Sequence, residues 1–163
     1  MRRTLAAAIG ALSVAAVISG AALAAASAAP AASGTEHFQA VSAAPASDTT
    51  SVIFTGAFTA GGVANVGRTT GTFKLPGGTL TISHSRGTGK QTFNPRTCLL
   101  TVSRDGTYTL GHGTGKYAGI SGHGTYRLHT LAIGRKAHGK CSQALPPAVF
   151  QQIINASGPV SLP

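Results

Sequence analysis

The side chains in this sequence best suited to chemistry are three histidines and two tyrosines: His84, His112, His123, Tyr108 and Tyr126. His112 and His123 each stand inside a copy of Gly-His-Gly-Thr, at 111–114 and 122–125, and His84 ends the alternating run Thr79-Leu80-Thr81-Ile82-Ser83-His84. Imidazoles brought together at one point could act as general bases or hold a metal, since three with one open position suffice for zinc. Either use needs a partner to orient the rings, and the acids that normally do so are only Glu36, Asp48 and Asp105. Two of the three histidines also sit between glycines, where imidazole commonly caps a turn. No metal site is therefore expected. No Gly-x-Ser-x-Gly elbow, His-Glu-x-x-His pair or phosphate-binding loop occurs, and no cofactor is expected. The five side chains are read as a ligand-binding set, polar groups around an apolar interior, with no catalytic residue assigned.

Those residues must be positioned by strands. Tyr108 and Leu110 alternate with Thr107 and Thr109, with His112 next in phase, and Tyr126, Leu128 and Thr130 alternate with Thr125, Arg127 and His129. Both runs read as half-buried strands. Gly113, Gly115, Gly119 and Gly122 between them supply a tight connection. The same pattern puts Phe54 with Phe58, Phe73 with Leu75, and Leu80, Ile82 and His84 on inward faces, with a turn at Pro76-Gly77-Gly78. Asp105-Gly106, between the run from Cys98 to Val102 and the run from Thr107, reads as a hairpin turn. Most of the 22 glycines fall between 51 and 140, separating short runs rich in Thr, Val, Ile, Leu and aromatics. The fold class predicted is all-β, a small antiparallel β-barrel of about eight strands with a short C-terminal helix.

Four segments are expected. Residues 1–29 read as a signal peptide: Arg2-Arg3, then an uncharged apolar run from Leu5 to Ala26, then Ala26-Ser27-Ala28 as a small-residue cleavage site. Residues 30–50, rich in Ala, Ser and Pro without a sustained period, read as a flexible segment. Residues 51–145 form the barrel. Residues 146–163 form the helix and tail, with Pro146-Pro147 opening it and Val149, Phe150, Ile153 and Ile154 at helical spacing. The leader places the protein outside the cell, and no stable membrane insertion of the mature chain is expected. In that oxidising setting Cys98 and Cys141, the only cysteines, are expected to form a disulfide pinning a last barrel strand, read over Lys136 to Cys141, to the Cys98 strand.

The net charge of +10 mostly remains after Arg2 and Arg3 leave with the leader. Such a balance attracts anionic partners, and an anionic cell-envelope polymer is one candidate; a solvated, self-repelling secreted surface is the other reading. Nucleic acid is not expected, because there is no Trp and no basic run interleaved with aromatics.

The run Gly113-Thr114-Gly115-Lys116-Tyr117-Ala118-Gly119-Ile120-Ser121-Gly122-His123-Gly124-Thr125-Tyr126 resembles the glycine-rich connection of allene oxide cyclase-like and dirigent-like barrels. With the strands Thr79–His84 and Thr107–Leu110 the resemblance spans roughly 51–141 and points to a small bacterial exported member of that group. It implies the barrel fold and, for activity, a buried carboxylate inside it. None can be transferred by position, since Glu36 falls in the segment expected to be flexible and Asp105 in a turn. Two functions follow. One is a non-catalytic binder of a small apolar or amphiphilic ligand at a barrel mouth; the other is a cyclase-like isomerase with His84, His112 and Tyr108 as the groups to test.

Overall fold

A computed structural model describes residues 32–45 and 50–163. The expected signal peptide and Asp48 lie outside the described residues. The strands, in order, are β1 (Ser33–Ser42), β2 (Thr50–Thr55), β3 (Ala60–Val66), β4 (Thr70–Leu75), β5 (Gly78–His84), β6 (Thr88–Asn94), β7 (Leu99–Gly111), β8 (Ser121–Ile133), β9 (Lys136–Ala137), β10 (Lys140–Cys141) and β11 (Val149–Ser161).

Strands β1 to β5 form an antiparallel meander. Then β5 pairs with the second half of β7, from Thr81↔Gly111 to His84↔Tyr108. β7 pairs with β8, β8 with β11, and β11 returns to β1. This closes an antiparallel barrel of eight strands, β1–β5, β7, β8 and β11. Closure removes every edge from that ring. Alternation of the chain decides what faces inward: Phe38, Val52, Phe54, Phe73, Leu80, Ile82, Tyr108 and Leu110 are all buried in one cluster. Phe38 lies at the centre, its ring centroid 5.2 Å from Phe54, 5.4 Å from Phe73 and 5.2 Å from Tyr108.

Three expectations about secondary structure are corrected. The segment 30–50, read as flexible, contains β1, which pairs along its length with β11 and so closes the barrel. Its inward positions are Glu36, Phe38, Ala40 and Ser42, all buried, an alternation hidden by the small and polar residues around them. The C-terminal segment read as a helix is strand β11, flanked by β8 and β1. Val149, Phe150, Ile153 and Ile154 fit helical spacing, but β-branched residues favour an extended chain, and β1 and β8 would otherwise be left as open edges. The helical content described is one 3₁₀ turn at Gly115–Tyr117. Finally, Asp105-Gly106 is no turn: both lie inside β7, opposite Arg127 and Tyr126 of β8. Gly106 is needed there because a Cβ would come within 2.5 Å of the Tyr126 ring.

The long strand β7 explains the rest of the architecture. Its second half belongs to the barrel, while its first half pairs with β6, from Thr88↔Asp105 to Asn94↔Leu99. β5 and β6 are thus one path along β7, broken where Ser85, Arg86 and Gly87 stand opposite Gly106 and Thr107. One extra residue against the partner strand is a β-bulge. Beyond it, the outer parts of β11, β8 and β7 continue with β6 as a sheet standing above one side of the barrel rim. Cys98 and Cys141 are bonded at the far end of this sheet, with Cα atoms 5.4 Å apart. The bond ties the β6–β7 turn to the β9–β10 ribbon, an excursion between β8 and β11, so the segment expected as the last barrel strand, Lys136 to Cys141, is bonded as expected but stands outside the barrel.

The opposite end of the barrel is stoppered. The connection from β7 to β8, foreseen as the glycine-rich link, folds across that end with Tyr117 and Ile120 buried in the core. Gly115 adopts φ +58°, and a Cβ there would lie 2.0 Å from the Gly77 carbonyl oxygen, so the stopper sits directly on the β4–β5 turn.

Candidate functional site at the open mouth of the barrel

The rim below the projecting sheet opens into a cavity of about 580 Å³. Its floor is apolar, made by Phe38, Ala40, Phe73 and Ile82, which are inward residues of β1, β4 and β5. Val102, Leu128 and Ile154 carry the apolar wall up the inner face of the projecting sheet. Toward solvent the lining becomes polar and cationic, with His84, Tyr126, Arg68, Arg86 and Arg104.

His84 and Tyr126 hold this rim in shape. The His84 ring bonds two main-chain carbonyls, Nδ1 to Ser85 O at 2.9 Å and Nε2 to Gly67 O at 3.2 Å. A neutral ring can donate to one of these and a protonated ring to both. The Tyr126 hydroxyl donates to the same Ser85 carbonyl at 2.8 Å, and its ring meets His84 edge-on with centroids 6.0 Å apart. Ser85 itself locks the bulge to β7: its N–H donates to Thr107 O at 2.9 Å, and the Thr107 N–H donates to its Oγ at 2.9 Å. One imidazole and one phenol thus join the β3–β4 turn to the bulge between β5 and β6.

The other expected site residues do not join them. Tyr108 faces inward from β7 but is buried deeper, against Phe38, with its hydroxyl pushed up to about 12 by burial and then by the nearby Glu36 charge. His112 lies past the end of β7, at the stoppered end, exposed and at φ 50°. His123 is exposed on the outer face of β8, opposite Thr109. The repeated Gly-His-Gly-Thr therefore serves two unlike places, and in the second copy it is the glycines that face inward. Gly124 and Gly158 lie side by side in the row from Tyr108 to Glu36, and a Cβ on Gly124 would come 2.8 Å from the Tyr108 hydroxyl. Among the described residues no three potential metal-ligating side chains converge.

Two features were missed, one at the mouth and one deeper in the barrel. At the mouth three arginines line the cavity, Arg104 among them because it continues the inward phase of Tyr108 and Leu110, a signal masked by reading Asp105-Gly106 as a turn. The second is Glu36, fully buried inside the barrel behind Phe38. Its Oε2 accepts the Phe58 N–H at 3.1 Å, while Oε1 has no hydrogen-bond partner. Burial raises the Glu36 carboxyl above its ordinary value, partly offset by main-chain N–H groups, first that of Phe58. The folded protein thus holds this proton more tightly than the unfolded chain. The associated stability is complete below the ordinary carboxylate range and is lost as pH rises through the raised pKa. Glu36→Gln should remove that decline, so that urea midpoints of wild type and variant diverge as pH rises from about 4 to about 8. Parallel curves would show that Glu36 contributes nothing to the pH dependence.

Comparison with protein-family models, with curated proteins and with solved structures finds no match to this chain. Among the described residues no helix is long and apolar enough to cross a membrane. The disulfide is compatible with an extracellular protein.

Proposed function

We propose that this protein is an exported binder that takes up a small amphiphilic molecule at the open mouth of its barrel and holds it without turnover. The observation that carries this reading is the cavity itself: about 580 Å³, apolar at the floor and polar at the rim, in a barrel stoppered at its other end. Ligand pockets are concave, mostly apolar, of some 300–1,000 Å³, and carry a few placed polar groups. Small closed barrels can hold one small ligand in this way. Retention is favoured over a cyclase-like reaction because neither described acid lines the cavity, Glu36 being fully buried and Asp105 being paired with Arg127 on the surface. A general acid or base must reach the proton it transfers. Export is supported by the leader-like residues 1–29 and by the disulfide. Kinship with the allene oxide cyclase-like barrels is also inferred, on the closed eight strands and on the glycine-rich link that stoppers them.

Calorimetric titration with ten-carbon amphiphiles tests the function. Wild type should bind at least one of them, and Ala40→Phe, which fills the floor beside Phe38, should weaken that binding at least about tenfold while circular dichroism still reports the barrel. If no single-chain amphiphile of any head group binds, the reading falls.

A further inference from the structure

Resting on that reading of the mouth, we infer that its ligand carries an anionic head, a carboxylate or a phosphate, and that Arg68, Arg86 and Arg104 receive it. The three come from separate parts of the chain: the β3–β4 turn, the bulge after β5, and the inner face of β7. All are exposed, yet all line the same cavity. The one ion pair among the described residues is Arg127 with Asp105, elsewhere on the surface at 2.7 Å, so none of the three has a described carboxylate partner. No described acid lines the cavity either. Three like charges converging on a mouth repel one another, a cost that an anion at the rim reverses. Guanidinium groups suit the task because their planar fork donates two parallel hydrogen bonds to a carboxylate or phosphate.

The hydrogen bonds of the rim fit the same purpose. His84 bonds the carbonyls of Gly67 and Ser85, the residues immediately before Arg68 and Arg86. It therefore fixes the backbone from which two of the three guanidinium groups project, while the bulge that bears Arg86 is locked to β7 at Thr107, three residues from Arg104. A head held there leaves its chain directed inward over Ile82 and Phe73 to the apolar floor.

The test uses four probes of equal chain length below their micellar concentrations: decanoate, decyl phosphate, 1-decanol and decyltrimethylammonium, titrated into the disulfide-bonded protein. Decanoate or decyl phosphate should bind at least about tenfold more tightly than decanol, and the cationic probe should bind weakest. Whichever anion binds more tightly identifies the head. The triple variant Arg68→Gln/Arg86→Gln/Arg104→Gln should remove the anion's advantage and leave decanol unchanged. A second variant, Arg135→Gln/Lys136→Gln/Lys140→Gln, removes the same number of cations outside the cavity and should retain it. Equal binding of decanol and both anions, or an equal loss in both triple variants, overturns the inference while the binding function stands. Failure of all four probes overturns the binding function itself.

Discussion

Phe54→Ala should destabilise the protein by about 3–5 kcal/mol, the range for truncating a large buried aromatic in a core that relaxes only partly. Phe54 is completely buried and packs against three other rings of the cluster, with centroids of Phe38, Phe58 and Phe73 all within 5.3 Å. Phe58 links it onward to Tyr117 in the stopper at 5.5 Å. The loss is thus felt on the floor of the barrel and at its closed end together. Because small domains are stable by only about 5–15 kcal/mol, much of the folded population's margin disappears. Urea unfolding measures it. Phe93→Ala, at an exposed position of β6, should change the midpoint by little, within about 0.5 kcal/mol. Similar losses for the two would mean that the aromatic cluster is not the core.

Removing the Cys98–Cys141 bond by a double Ala substitution has the second largest expected effect. The bond closes a loop with a sequence separation of 43 residues, for which chain entropy gives about 4 kcal/mol. For a domain of this size that is a fall in Tm on the order of ten degrees. Its place in the fold gives the result a spatial signature. The staple holds the outer end of the projecting sheet, where β6 is exposed along its whole length and has β7 as its only partner among the described residues. Amide exchange should therefore quicken first in β6 and in residues 134–148, with β1, β2 and β4 remaining the slowest segments. Uniform quickening throughout would show that the bond supports the barrel as a whole.

The sequence was most legible where apolar residues alternate strictly. The strands around Phe54, Phe73, Leu80 and Tyr108 stand where periodicity put them, and so does the link through Gly113–Gly122. It was least legible where the inward positions are not apolar. In β1 they include Glu36 and Ser42, and in β11 they include Gln152 and Gly158, so neither the first nor the last strand announced itself. Those two strands pair with each other, and tertiary closure supplied what local pattern lacked. At the mouth, His84 and Tyr126 line the cavity because they continue inward phases. His112 and His123 were grouped with them because a repeated motif looked like a repeated role, although one sits in a turn and the other on an outer face.

The pairing of β1 with β11 joins Ser33 to Ser161, and nearly the whole described chain lies between the partners. Such long-range contacts slow folding, because loop-closure entropy opposes them before they yield any stabilising contact. The meander from β2 to β5 and the long β7–β8 pair can form from neighbouring residues, but the ring cannot shut until the final strand is available. Until then β1 and β8 present bare edges to other chains. The stage of folding most exposed to aggregation is therefore the wait for β11, and the cavity exists only from the moment that wait ends.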